Sequence, residues 1–106
     1  GGGYKMTKVK PLLGRTGKPV ANQYVIKADN NKYNYEIFQS YDSSIALKNL
    51  VTDSIFLDLK YWNYSVTTSK YRNQFLNETT KETQAKINSG EYKLVDLNTN
   101  LLTNYI

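Results

Sequence analysis

The chain has 106 residues and a formal net charge of +5, and it contains neither cysteine nor histidine. That length allows one domain with a single core. The two missing residue types remove disulfides, thiolate metal sites, nucleophilic thiols and the usual neutral-pH proton shuttle, and with them most hydrolase and metal-site templates.

The charge is concentrated at the start. Lys5, Lys8, Lys10, Arg15 and Lys18 precede every acidic residue, whereas residues 19–106 carry nine basic and nine acidic side chains. Pro11, Gly14, Gly17 and Pro19 punctuate this stretch and oppose helix or central strand. Residues 1–18 are therefore expected to form a flexible, turn-rich basic arm ahead of one α+β domain over 19–106. Gly1 to Lys5 stand ahead of Met6 and fit a cloning remnant as well as native chain.

From Asn22 to Ala28 the residues alternate around Tyr24 and Ile26, and Asp29, Asn30 and Asn31 follow with turn chemistry, which predicts a strand and a hairpin. Between Tyr33 and Tyr41, Tyr33, Tyr35, Ile37 and Tyr41 share one face and Glu36, Phe38 and Ser40 the other, a period of two that suits a half-buried strand. Ile45 and Leu47 extend it or begin a third. After a loop at Asn49–Asp53, the stretch Ser54–Leu59 reads as another antiparallel strand. Beyond Trp62, Ser65, Thr67, Thr68 and Ser69 offer N-cap hydroxyls, and Tyr71 and Phe75 stand one helical turn apart, so a short helix is expected to end near Asn77. Thr79 and Glu82 have the spacing of a capping box opening a second helix, with Gly90 placed to end it. Alternation returns over Glu91–Leu97 as a final strand. In the tail, Leu101, Leu102, Tyr105 and Ile106 are apolar enough to dock. The expected fold is an α+β domain with an antiparallel sheet of about four to five strands and two short helices between the penultimate and last strands.

Three constellations bear on function. Gly14-Arg15-Thr16-Gly17-Lys18 resembles a phosphate loop in composition, but a Walker loop needs four residues between its glycines, Ser or Thr after the Lys, and a preceding strand. Two readings remain, a solvated turn before the first strand and non-specific phosphate contact through Arg15 and Lys18. Asp42 with Asp58-Leu59-Lys60 has the residue types of a PD-(D/E)xK nuclease, in which two carboxylates hold Mg²⁺ and a Lys orients water. Asp42 lacks the preceding Pro, and D-x-K also reads as a charged strand edge. Tyr61, Trp62, Tyr64 and Tyr71 lie among Lys60, Lys70 and Arg72, the mixture that stacks bases and neutralises backbone in single-strand binders. The same rings also read as a core plug at Trp62 and a buried stripe at Tyr71 and Phe75, or as anchors for a protein partner.

The segments GRTGKPVAN from Gly14, FQSYDS from Phe38 and YWNYSVTTSKYRNQFLNETTKETQAKINSGEY from Tyr61 resemble a family of small uncharacterised proteins from phages, prophages and plasmids of low-GC Gram-positive bacteria. The resemblance runs from about Gly14 to Leu97 and implies a setting, a mobile-element accessory protein in a bacterial host cell, without supplying any functional residue.

The reading that follows is a non-enzymatic protein associating weakly and salt-sensitively with DNA or RNA through Lys8, Lys10, Arg15, Lys18, Lys70 and Arg72, with Trp62 and Tyr64 as aromatic contacts. The alternative is an inhibitor or adaptor that binds a host or anti-phage defence protein, and a Mg-dependent nuclease is the minor third. No cofactor or metal is expected, and the protein is expected to be a monomer or weak dimer. No apolar run approaches the roughly 20 residues that cross a bilayer, nor does the start resemble a signal peptide, so a cytoplasmic protein without membrane attachment is expected.

Overall fold

The computed structural model describes residues 6–106, so the expectation for residues 1–5 lies outside the described residues. Strand propensity and turn chemistry alternate through the first half of the chain, producing β1 (Met6–Leu13), β2 (Pro19–Asp29), β3 (Asn34–Ser40), β4 (Ser43–Asn49) and β5 (Ser54–Asp58) as a meander. Helices α1 (Val66–Leu76) and α2 (Thr80–Asn88) follow, then β6 (Tyr92–Val95) and a 3₁₀ turn at Leu102–Asn104. The strands form one sheet in the order β1-β2-β3-β4-β5-β6. The first five are antiparallel neighbours, and β6 adds parallel to β5, the direction a helical crossover permits. The sheet is therefore six-stranded and mixed, where four to five antiparallel strands were expected.

The basic arm is the second correction. Its residues from Met6 to Leu13 pair with β2, Lys8 opposite Lys27 and Lys10 opposite Val25. Pro11 and Pro19 do not prevent this, because Pro11 lies on an outer strand and Pro19 is the first residue of β2, the two strand positions where a missing N–H costs little. Gly14 to Lys18 close the hairpin, with the Gly17 N–H donating to the Gly14 carbonyl at 3.0 Å and Gly17 at φ +79, a left-handed conformation that favours glycine.

Period-two alternation then assigns two faces. On one, Phe38, Ala46 and Leu57 occupy matched register positions and pack under the helices with Phe75, Tyr92 and the end of β1 at Leu12. On the other, Ile26, Ile37, Leu47 and Phe56 form the neighbouring row, covered by Leu97, Leu102, Tyr105 and Ile106 of the tail. A register shift at Phe38/Gln39 leaves Ile45 as an extra residue on β4, so Ile45 and Ala46 both join the helix-side core. β3 is thus buried on both faces rather than half-buried.

Ser65 caps α1 by accepting the Thr68 N–H at 3.1 Å, and Asn77 ends it in the left-handed conformation. Thr79 and Glu82 form the reciprocal capping box of α2, at 3.1 Å and 3.0 Å. α1 lies over β3 and β4, and α2 over β6. The helix-side face of β1 and β2 is left with Lys8, Lys10 and Lys27 exposed. Among the described residues no helix is long and apolar enough to cross a membrane.

Candidate functional site

The β1–β2 turn is positioned by α1. The Gln74 side-chain amide donates to the Leu13 carbonyl at 2.5 Å, which brings Arg15 and Thr16 against the helix. Arg15 and Lys70 consequently line one groove with Gly14, Thr16, Tyr71 and Gln74, and no acidic residue contributes to its wall. Two of the predicted cations, from opposite halves of the chain, are brought together here. Lys8 and Lys10 lie further along β1 on the face they share with Lys27, in a shallow depression where Asp29 and Glu36 offset part of the positive charge. Lys18 is exposed on the turn, where its carbonyl accepts the Gly14 N–H at 2.8 Å.

Arg72 is the clearest departure from the sequence reading. Its side chain is fully buried, so it cannot reach a phosphate. The guanidinium donates to the Trp62 carbonyl, to Asn63 Oδ1 at 3.3 Å, to Asn73 Oδ1 at 2.8 Å and to Thr80 Oγ1 at 2.9 Å. It also lies 5.0 Å from the centre of the Trp62 ring. Burial lowers its pKa from the ordinary arginine value, and the charge of Glu78 opposes that shift. Arginine stays charged through such a perturbation, so Arg72 acts as a buried cationic brace between the β5–α1 junction and the start of α2.

Trp62 is half-buried against the helix-side core with Arg72 beside its ring, which favours the core-plug reading over free stacking. Tyr64 differs. It is 48% exposed and meets Tyr61 edge-on, with ring centres 5.3 Å apart. Tyr64, Ser65, Val66 and Ser69 line a second open groove, and Asn63, Asn73 and Thr80, the residues held by Arg72, complete it with Lys70. Lys70 borders both grooves.

The D-x-K arrangement has a structural explanation. Asp58 is 1% exposed, and its carboxylate accepts the N–H groups of Lys60 at 3.0 Å, Tyr61 at 2.9 Å and Leu97 at 2.9 Å. Those bonds close the turn after β5 and pin the chain beyond β6, which occupies the carboxylate with backbone. Lys60 lies over the Tyr61 ring at 5.2 Å, and Asp42 is exposed in the β3–β4 turn. No group of three or more acidic side chains converges among the described residues.

Two further charged contacts were not anticipated. Lys48 donates to the Phe75 carbonyl at 2.6 Å and lies 4.1 Å from the centre of its ring, and burial lowers the ammonium pKa despite Glu36 and Glu78. Glu78 accepts from Lys86 at 2.8 Å, from the Tyr92 hydroxyl at 2.7 Å and from the Thr83 hydroxyl at 2.5 Å. Burial alone would raise the Glu78 pKa, but these three donors pull it below the ordinary carboxylate value. Burial, followed by the bond to Glu78, pushes the Tyr92 phenol up to about 12. The cluster ties the α1–α2 loop to α2 and β6.

Comparison with known proteins adds a family. The model of a family of unknown function (DUF8033) matches residues 7–91, and the chain belongs to that family. No curated protein and no solved structure matches it.

Proposed function

We propose that this member of the DUF8033 family is a non-enzymatic protein that associates with nucleic acid, neutralising backbone phosphates on the basic face of β1, the turn at residues 14–18 and α1. The observation carrying this reading is the groove shared by Arg15 and Lys70 without an acidic neighbour in its wall. Lys8 and Lys10 extend the positive track along β1, and because β1 is paired rather than loose, the cations are held in place before binding. The setting implied by the resemblance to phage, prophage and plasmid proteins, a mobile-element accessory in a bacterial cytoplasm, is part of the proposal.

Four phosphate contacts, by Lys8, Lys10, Arg15 and Lys70, give a slope of log K against log salt of about −3.6 on duplex or about −2.8 on single strands. Fluorescence anisotropy with labelled oligonucleotides between about 50 and about 200 mM salt measures it. A slope near zero, or no binding at the lower salt, contradicts the proposal.

A protein partner is the second reading, favoured by Val66, which is 88% exposed beside Tyr64. Retention of a specific protein from nuclease-treated bacterial lysate, together with absent oligonucleotide binding, selects it.

A further inference from the structure

The groove between the turn and α1 has a neighbour across Lys70. The same side chain borders the hollow that contains Tyr64, so the phosphate-neutralising pair adjoins an exposed aromatic ring. No acidic residue lines either part. Beneath the hollow, Asn63, Asn73 and Thr80 are all hydrogen-bonded by the buried guanidinium of Arg72. The Ser69 hydroxyl also donates to Asn63 Oδ1 at 2.6 Å. The floor is therefore fixed by a side chain that never reaches the surface, and the permanent charge of that side chain adds positive potential below the hollow.

Resting on the proposed association with nucleic acid, we propose that this two-part groove is a single-strand site, in which Arg15 and Lys70 hold one backbone phosphate and the adjoining unpaired base stacks on Tyr64. A paired base is already stacked within its duplex and offers no free face, whereas an unpaired base can lie on a ring of any aromatic residue. The Tyr64 ring needs no rearrangement of the core to receive it, since its contact with Tyr61 leaves about half its surface exposed. Arg72 is a positioning residue here. It sets the floor of the hollow without touching the ligand.

The test compares labelled oligothymidylate and oligouridylate of about eight nucleotides with a duplex of the same length, a length within the usual site size of single-strand modules. Tyr64→Ala should weaken single-strand binding roughly 5- to 140-fold, as loss of one stacking platform does. Tyr64→Phe should restore it, and duplex affinity and thermal midpoint should stay within error of the unmodified protein. The ratio of the two single-strand affinities reports the joint preference for sugar and for the thymine methyl group, and either order supports the site. If Tyr64→Ala leaves single-strand affinity unchanged while an Arg15→Ala, Lys70→Ala double variant weakens it, the stacking site is overturned and the phosphate reading stands. If neither variant changes binding, or if the unmodified protein binds no oligonucleotide at low salt, both are overturned.

Discussion

The two ends of the sheet are built from similar strands but carry opposite burdens. β3, β4 and β5 lie between α1 and α2 on one side and the tail on the other, and Phe38, Ile45, Ala46, Leu47 and Leu57 are all fully buried there. β1 shows the reverse, with Thr7, Lys8, Val9, Lys10 and Pro11 all exposed and Leu12 alone entering the core. Stability should therefore reside in the β3–β6 half, leaving β1 and its turn free to carry charge at little cost to the fold. The lysines also suit an outer strand for a second reason, since charge and proline on an edge discourage pairing with another sheet.

The contrast can be broken from the buried end first. Phe38→Ala removes a ring that meets Phe75 at 5.9 Å in a fully buried site, and a loss of about 3 to 5 kcal/mol is expected in chemical denaturation. Lys8→Ala and Lys10→Ala in the same assay should move stability by no more than about 0.5 kcal/mol. Equal effects at the two ends would refute the division.

Asp58→Ala comes next. It removes the acceptor of three backbone N–H groups, two of them in the turn after β5 and one at Leu97, and a cost of roughly 1.5 to 3 kcal/mol is expected. The same variant sharpens the reading of D-x-K. Plasmid incubated with Mg²⁺ or Mn²⁺ should stay intact with the unmodified protein, and nicking that vanishes in Asp58→Ala and in Lys60→Ala would establish catalysis instead.

Thr79→Ala deletes the side-chain half of the capping box at the start of α2 and should cost about 0.5 to 2 kcal/mol, read as a lowered denaturation midpoint. The smallest effect is expected from acid. The folded-state pKa of Glu78 is depressed, so its contribution is fully present above the unfolded carboxylate pKa and is lost as pH falls through the folded value. Stability should decline below about pH 4.5, and Glu78→Gln should reduce that decline. An identical pH profile in the variant would remove Glu78 from the account.

Legibility in the sequence followed locality. The capping box needs residues three apart, and Thr79 and Glu82 meet that condition within the sequence itself. Alternation likewise placed Ile26 and Ile37 in strands, and the register then sets them opposite each other on one surface. β1 was hidden because Pro11, Gly14, Gly17 and Pro19 read as breakers, although Lys8 and Lys10 already flank Val9 with a period of two. Only the position of β1 at the sheet edge makes its proline harmless, and edge position is a property of the assembled sheet. The parallel addition of β6 was invisible for the same reason.

The candidate site divides in the same way. Charge made Lys70 and Arg15 candidates individually, but their shared groove depends on the Gln74 contact with Leu13, which joins residues distant in sequence. Charge also misled at Arg72, since a guanidinium is normally exposed unless paired. Its hydrogen-bond partners, Asn63, Asn73, Thr80 and the Trp62 carbonyl, are neutral, so no ion pair signalled the burial.

The most direct test of where this protein meets its ligand is an NMR titration of the isotopically labelled chain with a short oligothymidylate at low salt. Shifts concentrated at Lys8, Lys10, Arg15, Lys70 and Tyr64, with Leu47, Phe56 and the tail undisturbed, are the predicted result. Shifts confined to α2, β6 and the tail, or none at all, would contradict the assignment of binding to the β1–α1 face.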